Sequence, residues 1–331
     1  MLPAGSILFS SRAPIGHCAI AAYPLCTNQG FKSIIPNQRL DSVYCYYALR
    51  YTTPAIVALG RGATFAEINK EMFERVRIPV PTLDEQKRIA ALLDKADRLR
   101  RARRYVQELS NSFLQSVFLD MFGDPMTNPC GWATVELGDL VQAFEGGVNF
   151  NPVSEGGPSS PWRVLKISSV TSGEFKPDES KAISPDTTFN ESLIVRKGDL
   201  IISRANTTEL VGAVCMVRHT PPQVLLPDKL WRIKLRSTAE VNANYVLHIL
   251  QLPHTRRIIG ELATGTSGSM QNISKDKAGT IPIMLPPEER QGKFAEVVRQ
   301  VERLRAQQRE ADRQAEHLFQ TLLHRAFSGS C

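Results

Sequence analysis

From Thr82 to Phe122 the chain carries neither proline nor glycine, and its apolar residues recur in alternating steps of three and four. The rungs are Ile89, Leu92, Ala96, Leu99, Arg103, Val106, Ser110, Phe113 and Val117. The same spacing returns 205 residues later at Phe294, Val297, Val301, Leu304, Gln308, Ala311, Ala315, Leu318 and Leu322. This is the a/d stripe of a coiled coil, held over about four heptads. The polar break falls on the same rung in both copies, Arg103 and Gln308. The pattern predicts two long helices, each roughly 55 Å at 1.5 Å per residue. So narrow a stripe stays wet on a lone helix, so the two are expected to pair with each other, antiparallel. The expected seam is Ile89, Leu92, Leu99, Val106 and Phe113 from the first helix, with Phe294, Val297, Val301, Leu304 and Leu318 from the second. Carboxylates in the first turns (Glu85; Glu288 and Glu289) suit the positive end of the helix dipole.

Outside the helices, short apolar runs alternate with turn signals: "WRVLKISSV", "DLIISR", "GAVCMV", "LWRIKL" and "IPIML". These read as strands. "NANYVLHILQLPHTRRIIGEL" (242–262) reads as one or two helices, and the Pro- and Gly-rich stretches at 146–161 and 221–223 read as surface loops. The expected fold class is α+β.

The repetition reaches beyond the helices. At the offset of 205, no gap is needed from Ile68 to Phe122: Lys70 pairs with Lys275, Ile78 with Ile283, Pro81 with Pro286 and Gln86 with Gln291. With small gaps, "LPAGSILFSSR" (2–12) resembles "VRKGDLIISR" (195–204), and "TNQGFKSI" (27–34) resembles "PDKLWRIK" (227–234). A period this long means a duplicated domain rather than a solenoid. The second copy has about 63 further residues before Val195, starting near Trp132, and the first has none before Leu2. The expected organisation is a partial mixed domain at 1–83, a long helix at 84–123, a complete mixed domain at 124–286 and a second long helix at 287–331.

The 331 residues are 42% apolar and 22% charged, enough for a core in each of two domains. A net charge of +7 and a pI near 9.1 permit an anionic partner. The six cysteines form no C-x-x-C pair, and the six histidines suggest no ligand set. The cysteines are expected to be free thiols in a reducing compartment. The start of the chain has no signal-peptide pattern and no apolar run is long enough to span a membrane, so the cytoplasm is expected and no membrane partner. There is no P-loop, no G-x-G-x-x-G after a strand, no Asn-Pro-Pro-aromatic stretch and no G-x-S-x-G elbow. Asp228-Lys229 after Pro227 faintly echoes a nuclease site, but no upstream carboxylate stands at a fitting distance. A chain without an identifiable nucleophile, metal set or cofactor loop reads as a binder.

Two kinds of feature suit nucleic acid. The helices carry "RLRRARR" (98–104) and "RLRAQQRE" (303–310), which fit a solvated face or a contact with phosphates. Between 204 and 236 lie six Arg or Lys against Glu209 and Asp228, interleaved with the amides and hydroxyls of "SRANTT" (203–208). "SGSMQNISKDK" (267–277) adds further such groups. Arg and Asn fork onto base edges, while Lys and hydroxyls suit phosphates. Taken alone, a Ser-Arg-Ala-Asn strand end is also an ordinary turn.

The chain thus carries two such domains in tandem. One is opened by "WATVELGDL" (132–140); each carries a Gly-rich strand ending in Ser-Arg, an "IxK" stretch, an "IPxPxxxEQ"-type segment and a long helix. In this order the motifs resemble the DNA-specificity subunit of type I restriction–modification systems, over essentially the whole chain. The resemblance implies two target-recognition domains, each reading half of a split site on double-stranded DNA. It implies an antiparallel pair of helices that sets the spacer between half-sites. It implies docking of two methyltransferase subunits and of restriction/translocase subunits. S-adenosylmethionine, ATP and Mg²⁺ would then belong to those partners, with none on this chain and no catalysis by it. The first domain departs from the pattern because it lacks the Trp-x-x-x-x-Leu-Gly opening, leaving Arg12, Lys32, Arg61 and Lys70 as its candidates. DNA contact is therefore expected of the second domain, at Arg163, Lys166, Arg204, Asn206, Lys229, Arg232 and Lys275. The alternatives are a coiled-coil interaction protein that keeps the methyltransferase dock without specific DNA binding, and an enzyme whose motif is unfamiliar.

Overall fold

The structure is a computed structural model, and it describes residues 1–328 apart from 13, 61–66, 151–159, 220, 239, 268 and 269. At 104, 107, 108, 110–112, 266 and 267 it describes the backbone alone. In chain order the first elements are β1 (Ile7–Ser10), β2 (Cys18–Ile20), β3 (Phe31–Ile34), α1 (Ser42–Leu59), α2 (Lys70–Glu74) and the long α3 (Leu83–Phe122). Then come β4 (Ala133–Glu136), α4 (Leu137–Leu140), β5 (Val141–Gly146), β6 (Arg163–Leu165), β7 (Ser180–Ala182), β8 (Leu200–Ser203) and β9 (Ala205–Asn206). The chain continues through β10 (Val214–Met216), β11 (Val224–Leu225), β12 (Leu230–Leu235), α5 (Ala243–Gln251), α6 (Pro253–Leu262), β13 (Thr264–Ser267) and β14 (Met270–Asn272). It ends with α7 (Lys275–Gly279), β15 (Pro282–Leu285) and the long α8 (Glu288–Phe327). By contact the chain forms two units, Met1–Leu109 with Leu304–Cys331, and Ser110–Arg303. Each unit therefore holds one mixed α+β part and a part of each long helix.

In the first unit β1 is central and pairs antiparallel with β2 and with β3, Ile7 lying opposite both Ile20 and Ile34. Its alternating inward residues, Ile7 and Phe9, are fully buried with Cys45, Leu49 and Ile56 of α1 and with Ile68. A second cluster joins Tyr44 and Tyr47 of α1 to Ile89, Ala90, Leu93 and Ala96 of α3 and to Phe319, Leu323 and Phe327 of α8. Tyr44, whose hydroxyl donates to Pro79 O just ahead of α3, meets Phe327, and Arg100, a few turns into α3, lies over Phe319. The two helices therefore run antiparallel here.

In the second unit the sheet order is β10-β8-β12-β5, all antiparallel. Two three-stranded groups, β11-β6-β7 and β13-β14-β9, and the pair β15-β4 complete the strands. α5 and the sheet enclose a large apolar core that reaches Leu114, Phe118 and Phe122 of α3 and Phe294, Val298 and Val301 of α8. Arg290, near the start of α8, donates to Met121 O at the end of α3, so the helices are antiparallel here too. The turn after α3 needs Gly123, with φ +81° and Pro129 packed where a Cβ would stand. Trp132 is fastened to the same turn: its indole N–H donates to Phe122 O, and Asn128 bonds both its N–H and its C=O.

The same clasp holds α3 and α8 to their mixed domains. The buried Gln86 accepts from Asp41 N–H (2.9 Å), the N-cap of α1, and donates to Arg39 O (2.9 Å) and Pro81 O (2.8 Å). The buried Gln291 accepts from Asn242 N–H (2.8 Å), the N-cap of α5, and donates to Glu240 O (3.1 Å) and Pro286 O (2.8 Å). Beside them Tyr44 OH donates to Pro79 O, and Tyr245 OH to Met284 O.

The helix seam corrects the expected stripe. Ile89, Phe294 and Val301 are buried as expected, and Val297 is half-buried against the second core. Leu92, Leu99, Val106, Phe113, Leu304 and Leu318 instead lie 44% to 56% exposed. Ala96 also stays buried; the rungs of α3 buried beyond the expected set are Gln86, Ala90, Leu93 and Asp97, with Arg100 beside them, mostly one residue further on. Three of those five are polar, so counting apolar residues alone selects the neighbouring stripe. The polar rungs satisfy one another. Asp97, fully buried, is bound by Arg101, by Arg100 (2.5 Å) and by Arg50 (3.4 Å), and Arg100 also reaches Glu316 (3.1 Å). Arg50 and Arg100 stand over the Phe319 ring at 5.0 and 4.5 Å, a favourable place for a desolvated cation.

Burial alone would raise the Asp97 carboxyl, but hydrogen bonds and charge from Arg101 and Arg100 outweigh it and hold the group below its ordinary value. The ionised form thus stabilises the folded state at neutral pH, and that contribution is lost as pH falls through the carboxylate range. Urea unfolding of Asp97→Asn is expected to show a deficit at pH 7 that narrows toward about pH 3; a deficit independent of pH removes the charge from the account. Gln291→Met strips three hydrogen bonds from buried groups. It should cost about 2–4 kcal/mol in the same assay, at 0.5–1.5 for each bond lost and more where a partner is left buried.

Candidate nucleic-acid interface

Three chain segments meet at the end of β8. Arg204 N–H donates to Lys229 O (3.1 Å), and Ile273 N–H donates to Arg204 O (2.9 Å). The Arg204 backbone is thus held between the turn leading into β12 and the strand leading into α7. One residue on, β9 pairs with β14, setting Asn206 opposite Gln271. The arrangement gathers Arg204, Asn206, Gln271 and Lys229, with Lys275 opening α7 just beyond. Asn206 Oδ1 accepts from Thr207 N–H (2.9 Å), and Ser274 caps α7 by accepting from Lys277 N–H (3.3 Å). The Arg204 guanidinium is about one-third exposed; its Nε donates to Asp228 O (2.7 Å) and the Asp228 carboxylate is 3.9 Å away. Lys275 is exposed. Such a group offers cations, amides and hydroxyls from one frame of backbone hydrogen bonds, the mixture that phosphates and base edges accept.

Arg163 and Lys166 belong to another group, at the β6–β7 pair. Arg163 is exposed, with Nε on Ser180 Oγ (2.8 Å) and a terminal nitrogen on Ser180 O (3.0 Å). Lys166 stands 3.7 Å from Glu179, whose carboxyl is held below its ordinary value by the Ser168 hydroxyl and by Lys166.

Arg232 is a correction. Its side chain is only 13% exposed, and it binds Glu145 and Asp199 at 2.9 Å each, Ser192 O at 2.8 Å and Ile194 O at 2.7 Å. These bonds fasten β12 to β5 and to the segment leading into β8. The Arg232 hydrogen bond holds Glu145 below the ordinary carboxylate range. An inward position on a central strand buried this cation, whereas a local count of basic residues reads it as free. Gln271, opposite Asn206, was not singled out within "SGSMQNISKDK"; its signal is the pairing of β14 with β9, which a single segment does not reveal.

In the first unit, Ser11 N–H donates to Gly30 O (2.8 Å) and Ile68 N–H to Ser11 O (2.9 Å). Ser11, rather than Arg12, therefore stands where Arg204 stands, and Arg12 takes the place of Ala205. Lys32 donates to Ser11 Oγ (3.2 Å), Lys70 pairs with Glu74 in water, and Arg61 lies outside the described residues. Among the described residues no cluster of His, Cys, Asp and Glu could hold a metal ion, and no helix is long and apolar enough to cross a membrane. Cys18, Cys26, Cys45, Cys130 and Cys215 are unpaired thiols.

Residues 1–105 match the family model described as the type I restriction modification DNA specificity domain. The EcoKI specificity subunit of Escherichia coli K12 is 25% identical over an alignment spanning 96% of this chain and 72% of the relative. The chain is thus similar to type I specificity subunits along nearly its whole length. It is also 34% identical to the MjaIX specificity subunit of Methanocaldococcus jannaschii, over 44% of this chain and 38% of that relative. The specificity-subunit fold recurs in the crystal structure of the type I S subunit from M. genitalium, with TM-score 0.56, 16% identity, and coverage of 99% of this chain and 84% of that one. This chain thus spans well under half the length of the archaeal relative that it matches.

The two arginines separate by experiment. Arg232→Ala strips two carboxylates of their partner and should lower stability by about 3–5 kcal/mol. Arg204→Ala, at a partly exposed corner, should cost under about 1 kcal/mol. Urea midpoints measure both, and equal losses would return Arg204 to a purely structural role.

Proposed function

We propose that the chain is the DNA-recognition component of a type I restriction–modification assembly, acting without catalysis of its own. Residues 132–286 read one half-site on double-stranded DNA. The observation that carries this reading is the grouping of Arg204, Asn206, Gln271, Lys229 and Lys275 at the β8–β9 corner. Arg163 and Lys166 supply backbone contacts from the β6–β7 edge, and Arg232 braces the sheet behind them. The helices dock two methyltransferase subunits. In support, Leu92, Leu99, Leu304 and Leu318 are exposed in one unit and spaced by multiples of seven on each helix, the apolar stripe that further helices bury. Restriction/translocase subunits complete the assembly, and S-adenosylmethionine, ATP and Mg²⁺ act on the partner subunits.

Phosphate contacts make affinity fall as salt rises, with a log–log slope of about −0.9 per phosphate neutralised. Fluorescence anisotropy with duplex DNA should show that dependence for the intact chain. The double variant Arg204→Ala/Lys275→Ala is expected to flatten the slope by about one to two and to weaken binding at least about tenfold. An unchanged slope and Kd would remove the corner from the interface. Absence of salt-dependent binding by the intact chain would favour a helical docking protein without DNA recognition.

A further inference from the structure

The segment that leaves β5 reaches the same corner. Gly147 passes so close to the turn ahead of β12 that a Cβ there would lie 2.1 Å from Leu226 O and 2.3 Å from Pro227 O, both main-chain atoms. Only glycine allows this approach. Val148 then pairs with Pro227 in a parallel bridge, and Val148 O accepts from Asp228 N–H (3.0 Å). The C=O of the same Asp228 accepts from Arg204 Nε (2.7 Å). One residue, Asp228, thus joins Val148 to Arg204. Two positions after Val148, the Phe150 ring is buried with Val164, Ile183, Leu193 and Leu225. Asn149 stands between these two anchors and is exposed. Asn206 spends its Oδ1 on Thr207 N–H, whereas among the described residues the Asn149 carboxamide makes no hydrogen bond.

We infer that Asn149 is a further specificity-determining residue, and that the base it reads is adenine. The inference rests on the DNA-recognition reading of this corner and extends it to a base identity. A carboxamide presents an acceptor and two donors side by side. Adenine shows the matching pair in the major groove, the N6 donor and the N7 acceptor. A bidentate contact of this kind uses both ends of the amide, and Asn149 offers both ends more fully than Asn206. It also gains from an amide whose backbone is already fixed, because ordering costs are subtracted from every contact made on binding. The Gly147 approach and the Asp228 bond fix the chain before Asn149, and the buried Phe150 ring fixes it after. A plain connecting loop requires neither a glycine wedged against two carbonyls nor a ring sunk into a core next to an exposed amide. Arg204 and Lys229, on the other side of Asp228, suit the phosphates that flank such a base. The cations then supply affinity and Asn149 supplies identity.

The test selects duplexes from a randomised pool with the intact chain and repeats the selection with Asn149→Ala. The intact chain is expected to enrich a motif containing an A·T pair at which the variant discriminates about tenfold less. Because no phosphate contact is removed, the slope of log affinity against log salt should stay the same. Replacing that adenine by 7-deazaadenine removes the N7 acceptor. It should weaken binding of the intact chain about fivefold and leave binding of Asn149→Ala unaltered. The substitution lies at an exposed position and should keep the circular dichroism and urea midpoint of the intact chain. The same motif from both proteins, equal responses to 7-deazaadenine, or a flattened salt slope would overturn the inference while leaving the corner in the interface. If the intact chain enriches no motif, the inference falls together with the recognition reading on which it rests.

Discussion

A single buried carboxamide joins each long helix to its domain, and the rest of the architecture depends on that joint. Gln86 and Gln291 each take one N–H from the cap of a domain helix and give two N–H bonds to carbonyls that no strand or helix would otherwise satisfy. A side chain with both an acceptor and two donors is needed there, and Glu offers no donor when ionised. In each joint one of the two carbonyls belongs to the proline five residues before the glutamine, Pro81 or Pro286, and the other to the segment ahead of the domain helix, Arg39 or Glu240. Because the joint lies in the dry interior, losing one partner strands the others, so helix direction and domain position are set together.

The helix pair adds a second polar constraint. An apolar seam can slide by a heptad at little cost, whereas Arg100, bound to Asp97 on its own helix, also reaches Glu316 of α8, and Arg50 of α1 closes the group. A displaced partner would leave a buried carboxylate or guanidinium unpaired, at a cost of several kcal/mol. In the second unit the half-buried pair Arg218 and Glu302, 3.5 Å apart, ties α8 to the mixed domain, with Glu302 at the rung that matches Asp97. Buried charge of this kind fixes register more than it adds stability. It also releases the neighbouring leucines for the outer face.

The same chemistry decides what could be read from the chain. Helix limits were legible because Thr82 and Pro287 open long stretches without proline, the first also without glycine. The duplication was legible because it is nearly gap-free where the clasp and helices lie. The seam was not, because Asp97 and Arg100 look like surface residues until their partners arrive from other elements. Arg232 was misread for the same reason: Glu145 and Asp199 are 87 and 33 positions away in the sequence. Arg12 resembled Arg204 in sequence, yet the hydrogen bonds at Ser11 shift the match by one residue. A one-residue shift along a strand exchanges the two faces, so equivalence between copies rests on registers rather than on letters.

That distinction bears on recognition itself. Within this one chain the two copies keep the clasp, the tyrosine beside it and the capped short helix, but differ at the strand ends. Ser11 replaces Arg204 on an identical pair of backbone bonds, and Lys32 replaces Trp231. The bonds that bracket position 204 are made by main-chain atoms, so the side chain there can change without disturbing the frame. A reader of nucleic acid needs this separation, because specificity resides in side chains at base edges while the scaffold positions them. Arg232 marks the limit of such freedom. It lies within β12 rather than at a strand end, and its partners are side chains and carbonyls of the frame, so substitution there costs the fold.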